Sequence, residues 1–392
     1  MNTIFLLDAG LSNFEAFAAN AFFTAGMVIF EVPTGIVADS WGRRASYLLG
    51  TITLAVTTAI YLWLWYVQGP FWAWAISSVL IGLGFTFFSG AVEAWLVDAL
   101  QATGHDGPLD AVFARGQVFM GAGMLLGAGG GGYLAQWLGL GAPYWLRAGV
   151  LAMMFVLAAV MMRDLGFEPT RGRYRDEIRQ ISRDSVRFGL KVRPVRWLMM
   201  ASLFTGGIGI YVGYALQPHL LDLWGDDDAY GIAGLAAALL AAAQIVGGLV
   251  TSRIRTLFRR RTDMILAMHA LATLAVLLMA LVPNFWVVLA LIVAWGLVAA
   301  AAMPVRQAYL NGMIPSKQRA TILSFDSLFE STGGVVVQPA LGRSADLWGY
   351  PVSFGLSALV SACALPFIWL SRREKAPPDL RVGDPSAPVA AA

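Results

Sequence analysis

Runs of about twenty apolar residues recur from one end of this sequence to the other, and no other feature narrows its folding choices as far. A run of that length is what an α-helix needs to cross roughly 30 Å of hydrocarbon at about 1.5 Å per residue. Because that layer holds no water to satisfy backbone N–H and C=O groups, helices that close their own hydrogen bonds are one of only two structures able to span it. Composition points the same way. Apolar residues make up 58% of the chain and charged ones 13%, and the mean hydropathy of +0.66 lies far outside the range of soluble domains. The expected fold is an all-α polytopic membrane protein, with helices over 15–38, 45–67, 71–100, 112–137, 143–162, 196–221, 230–252, 263–283, 285–313, 319–341 and 350–371, eleven in all.

The charges are sorted by loop. Arg43 and Arg44, the stretch from Arg163 to Arg196, Arg253 to Arg261, Lys317 with Arg319, and Arg372, Arg373 and Lys375 occupy alternate connections, which the positive-inside rule places in the cytoplasm. The opposite connections carry Asp8 and Glu15, an uncharged turn at Gln68 to Pro70, and the acids Asp226, Asp227 and Asp228. The net charge of +3 therefore reads as membrane orientation and not as a nucleic-acid surface. Residues 163–195 mix arginines with Glu168, Asp176, Glu177 and Asp184, a pattern that suits an amphipathic cytoplasmic linker. That linker divides an N-terminal bundle, 1–162, from a C-terminal bundle, 196–371. Residues 372–392, rich in Pro, Ala, Asp and Gly, are expected to form a disordered tail. Cys363 is the only cysteine, so no disulfide or thiolate metal site is expected, and no metal or cofactor is implied. No basic n-region or small-residue cleavage site marks a signal peptide.

The two bundles are copies of one another. Gly35 to Arg44, GIVADSWGRR, aligns with the segment from Gly248, GLVTSRIRTLFRRR, with Ser252 in place of Asp39. Glu93 to Leu96, EAWL, aligns with Gln307 to Leu310, QAYL, and Gly132 to Gly139, GYLAQWLG, with Gly342 to Gly349, GRSADLWG. Internal duplication of this kind is common among transporters. The same register sets Leu6, Leu7 and Asp8 on Leu220, Leu221 and Asp222. The first helix of the first copy is then represented only by its end. A mis-assigned start codon is the expected explanation, ahead of a true eleven-helix protein.

Gly35, Asp39, Gly42, Arg43 and Arg44 resemble the loop signature G-x-x-x-D-x-x-G-R-R of the major facilitator superfamily, at the junction between the family's second and third helices. The resemblance implies two pseudo-symmetric six-helix bundles, the first helix largely missing here, that rock about a central site. It also implies roles. Asp39 would face the N-terminus of the eleventh helix, near Arg319, where a carboxylate meets the positive end of the helix dipole. Arg43 would pair with Asp98, and the contacts together would latch the bundles on the inside. Gly35 is expected to let helices approach closely and Gly42 to permit a tight turn. Gly123 to Gly132, GMLLGAGGGG, resembles the fifth-helix signature of drug/proton antiporters, with Ala128 where that branch has proline. Close packing of small residues is the alternative reading. The arginine usual in the family's fourth helix is absent between Phe71 and Val92.

Carboxylates inside a bilayer are costly and are functional candidates by default. Glu31, Glu93, Asp326 and Glu330 qualify as coupling groups, with Arg115 and Arg306 as partners that would instead make some of them structural. Gln117, Tyr211, Tyr214, Gln217 and Gln244 are candidates to line the cavity, while His219 and His269 receive no role. The reading is a secondary transporter of the bacterial cytoplasmic membrane, a monomer, working by alternating access. It is expected to expel lipophilic or amphipathic small molecules in exchange for protons. The alternatives are an uptake or exchange carrier for a polar metabolite, and a non-transporting membrane partner or sensor. A membrane enzyme is not expected, because no metal cluster or nucleophile–base pair appears.

Overall fold

A computed structural model describes residues 2–104, 109–167, 191–314 and 319–380. Every regular element among them is helical: α1 (Asn2–Asp8), α2 (Asn13–Trp41), α3 (Arg43–Val67), α4 (Phe71–Thr86), α5 (Ala91–Ala102), α6 (Leu109–Leu138), α7 (Ala142–Met161), α8 (Arg193–Trp224), α9 (Tyr230–Arg255), α10 (Arg261–Leu281), α11 (Phe285–Met313), α12 (Arg319–Ala362), α13 (Ala364–Arg373) and a short 3₁₀ turn, Pro377–Asp379. Among the described residues, ten candidate spans are long and apolar enough to cross a membrane. The last of them, Phe325–Arg373, has 49 residues, about 70 Å of helix and more than twice a bilayer core. It is broken at Gly349, whose φ of 81° and ψ of 167° are not helical, so it makes two passes. The protein is a multi-pass membrane protein.

Two compact units result: Met1–Arg175 with Asp228–Gly234, and Asp176–Asp227 with Leu235–Ala392. Most of the stretch expected as a linker, 168–190, lies outside the described residues, as does the tail from 381.

Burial is inverted relative to a soluble protein. Trp63, Leu126 and Leu249 are exposed, whereas Ser46, Thr51, Thr58 and Ser78 are buried between helices. Lipid is as apolar as leucine, so helices associate instead through small residues and interhelical hydrogen bonds. Gly26 and Gly82 seat α2 against α4: a Cβ on Gly26 would lie 2.6 Å from the Val79 carbonyl oxygen, and one on Gly82 2.6 Å from that of Phe23. In the second unit Gly296 of α11, 214 positions after Gly82, lies against Leu240 of α9. Hydrogen bonds cross both seams, one helical turn apart in the register of the repeat. Thr34 Oγ1 of α2 donates to the Thr86 carbonyl at 3.1 Å, and Thr251 Oγ1 of α9 to the Ala301 carbonyl at 3.3 Å. Gly82 and Gly296 thus close corresponding seams at corresponding positions of the repeat.

Three expectations need correction. The helix expected over 71–100 is two helices, α4 and α5, separated by a turn whose Gly90 adopts φ 68°. Glu15, read as a loop acid, closes a capping box on α2: Ser12 Oγ accepts from Glu15 N at 3.2 Å, and Glu15 Oε2 from Ser12 N at 2.9 Å. The tail expected to be structureless from residue 372 is ordered as far as Leu380, where Asp379 is 1% exposed.

Inserting a side chain at Gly82 overpacks the α2–α4 seam, at a cost of about 1–3 kcal/mol. At Gly127 no neighbour lies within 4 Å of a new Cβ. Gly82→Val is expected to lower the thermal unfolding midpoint in detergent by several degrees while Gly127→Ala leaves it unchanged or slightly raised, as a fluorescence melt would show.

Candidate functional site

The first group of functional residues surrounds the turn between α2 and α3. Gly42 occupies that turn at φ 103°, a region that favours glycine. Arg43 forms an ion pair with Asp39 one turn back on α2. Its Nε lies 4.0 Å from Asp98 Oδ2 of α5, and its guanidinium sits 5.7 Å from the centre of the Phe167 ring. Arg44 points elsewhere, donating from Nη2 to the Ala159 carbonyl at 2.7 Å. Asp164, which sequence reasoning missed, accepts from Arg44 N at 2.8 Å. Gly35 does not seat a helix: no atom of the described residues lies within 4 Å of the position its Cβ would take.

The second group lies inside the second unit. Arg306 of α11 donates from Nη1 to Asp326 Oδ2 and from Nη2 to Asp326 Oδ1, both at 2.7 Å. This is the two-pronged geometry that a guanidinium and a carboxylate favour. Ser202 of α8 accepts from Arg306 Nη2 at 2.9 Å and donates to Asp326 Oδ1 at 2.9 Å. Asp326, 5% exposed, is therefore fully engaged. Glu330, one turn further along α12, takes no hydrogen bond or ion pair with the described residues. It borders a cavity of about 180 Å³ that Ser202, Thr205, His269, Trp295 and Arg306 also line. Gly206 makes room for it, since a Cβ there would lie 2.5 Å from the Glu330 carbonyl oxygen and overlap its side chain. His269, given no role from sequence, faces the cavity with Nε2 2.9 Å from the Ser361 carbonyl oxygen.

The remaining candidates are scattered. Glu31 is exposed and accepts from Ser89 Oγ at 2.6 Å, beside the break between α4 and α5. Glu93 is exposed in the first turn of α5. Arg115, expected to pair with an acid, is exposed on α6 and makes no ion pair with the described residues. None of Gln117, Tyr211, Tyr214, Gln217 and Gln244 lines the cavity. Tyr211 is fully buried with its hydroxyl against Ser353 and Leu341, and is a packing residue; Gln117 is exposed on α6. In the fifth-helix glycine motif, Gly132 lies against Gly234 and the Tyr230 carbonyl, whereas Gly127 and Gly131 have no described atom within 4 Å of a Cβ position.

Two helical units with a repeated sequence, a charged turn between α2 and α3 and ion-paired charges inside a bundle are the features of a membrane transporter. The sequence profile of the Major Facilitator Superfamily matches residues 2–226 and 227–390, and the chain belongs to that family. No curated protein sequence matches it. Among solved structures it is similar to the nucleoside transporter NupG, at 11% identity with 94% of this chain and 93% of that one covered and a TM-score of 0.79. It is also similar to a D-xylose–proton symporter, at 16% identity with 94% and 90% covered and a TM-score of 0.70. The E. coli fucose:proton symporter FucP matches at 16% identity, with 94% of each chain covered and a TM-score of 0.56. At these identities the likeness is one of fold.

Removing one member of a buried ion pair costs about 3–5 kcal/mol, whereas replacing both by apolar residues is often neutral. Arg306→Met is expected to destabilise the second unit by that amount, and Arg306→Met with Asp326→Leu to recover most of it, as thermal unfolding in detergent would measure.

Proposed function

We propose that this protein is a proton-coupled secondary transporter in which Glu330 carries the proton and the turn around Asp39 latches the inward end of the transport cycle. The observation that carries the reading is the contrast between two acids one helical turn apart. Asp326 is held by a two-pronged ion pair with Arg306 and by a hydrogen bond from Ser202. Glu330 stands beside the same cavity without such a partner, free to bind a proton from one side and release it to the other. The cavity, about 180 Å³, is smaller than the roughly 300–1,000 Å³ of sites for drug-sized ligands, and we assign it to the proton rather than to the solute.

For the solute, expulsion of a lipophilic or amphipathic small molecule in exchange for protons is our first reading, supported by the scarcity of polar residues in mid-helix. Uptake of a polar metabolite is the second, favoured by the charged pole that Arg306 and Glu330 give the interior of the second unit. The sorting of arginines supports a bacterial cytoplasmic membrane with the charged turns inside, and we take the working form to be a monomer. In proteoliposomes under an imposed pH gradient, with ethidium as the probe, Glu330→Gln is expected to abolish gradient-driven dye movement yet leave dye exchange within about twofold of wild type. Accumulation at the wild-type level in that variant would remove Glu330 from the mechanism. Asp39→Asn is expected to stop both movements with membrane insertion retained, and near-normal transport would reject the latch.

A further inference from the structure

Each unit ends in an aspartate that no sequence motif marks, and the two aspartates make the same contact. In the first unit the chain leaves α7 at Met161, and Asp164 Oδ1 accepts from the backbone N–H of Arg44 at 2.8 Å. In the second unit Asp379 accepts from Thr262 N at 2.8 Å, and from Thr262 Oγ1 at 2.8 Å. Arg44 is the second residue of α3 and Thr262 the second of α10. Asp379 lies 215 positions after Asp164, close to the spacing of the repeat itself. Both carboxylates therefore satisfy the same otherwise unpaired N–H at the start of equivalent helices.

Further contacts, different in detail, tie each strap to its bundle. Trp95 Nε1 donates to the Arg163 carbonyl at 2.8 Å, and Tyr309, its counterpart in QAYL, points its hydroxyl at Ser371 Oγ, 3.3 Å away. Arg44 donates to the Ala159 carbonyl and Arg261 to that of Pro378. A bridge between Arg260 and Leu380 closes the second strap. In the first, the Asp164 carboxylate fills the space above Gly42, where a Cβ would come within 3.1 Å of its Cγ. Gly166 then rests against the end of α5: its Cβ would lie 3.0 Å from the Asp98 carbonyl oxygen.

We propose that Asp164 is a positioning residue for the charged turn. By capping α3 it fixes where Arg43 emerges, between Asp39 and Asp98 with Phe167 alongside, and Asp379 is its duplicate in the unit whose turn carries Ser252 in place of Asp39. The first strap thus serves a gate and the second only holds its bundle. The gating half of this proposal rests on the reading of the Asp39 turn given above; the capping half does not.

Hydrogen exchange read by mass spectrometry on the full chain in detergent tests the cap. Asp164→Ala is expected to speed exchange of the amides at 43–46 about tenfold and leave those at 261–264 unchanged, with Asp379→Ala giving the reverse. Asp164→Asn, whose side-chain oxygen still accepts, is expected to stay near wild type. Unchanged exchange at 43–46 in Asp164→Ala overturns the proposal. If that variant fails to fold, Gly42→Ala, which displaces the carboxylate, is expected to give the same pattern, and unchanged exchange there overturns it equally. In the dye assay Asp164→Ala is expected to cut the maximal rate at least tenfold with the half-saturating concentration unmoved; an unaffected rate overturns the positioning role. Normal transport in Asp39→Asn alongside fast exchange in Asp164→Ala would instead sink the gate and leave the cap standing.

Discussion

A helix in hydrocarbon gains nothing by pressing leucine against leucine, because the lipid it leaves is as apolar as the side chain it meets. What holds these bundles together must therefore be something lipid cannot offer. Two such interactions recur. One is direct contact between a glycine and a neighbouring backbone, as at Gly26, Gly82 and Gly247; the other is a hydroxyl that donates across a helix seam, as at Thr34 and Thr251. Both need small residues at particular positions, and both occur in each of the two units. The surface is then free to be apolar, which is where Trp63, Leu126 and Leu249 lie.

Charge follows the same logic with larger stakes. An ionised group taken from water must find its compensation within the protein or give up its charge. Asp326 has found it in Arg306 and Ser202, and Asp39 shares Arg43 with Asp98. Glu330, half-buried, borders the same cavity as Arg306 but takes no hydrogen bond or ion pair with the described residues. A single helical turn separates the acid that takes the Arg306 ion pair from the one we propose as the proton carrier.

Much of the architecture was legible in the sequence because the bilayer imposes a length on every span and the arginines mark alternate ends. The internal repeat was visible in EAWL and QAYL and in the paired glycine-led blocks. What escaped was everything that depends on a local backbone choice or a distant partner. Apolar content continues through 87–90, so periodicity gave no sign that α4 and α5 would separate at Gly90. Arg306 was recognised as a partner for membrane acids, but only geometry could tell that Asp326 takes it and Glu330 does not. Arg115, equally plausible by composition, is exposed. Asp164 and Asp379 sit in polar stretches where an aspartate is unremarkable, and their shared spacing acquires meaning only once both are seen at the head of a helix. Polarity at Gln117 and an aromatic ring at Tyr211 are compatible with a cavity lining, yet neither tells a side chain exposed on α6 from one tied to Ser353 inside a bundle.

The ordered stretch beyond α13 bears on how the protein is handled at the bench. Hydropathy would place the end of the useful chain at Arg373, and an affinity handle fused there would discard Asp379 and the Pro378 carbonyl that receives Arg261. The second bundle would lose its clasp before purification began, and a preparation that aggregated would be blamed on the detergent. Handles belong after Leu380, with a spacer.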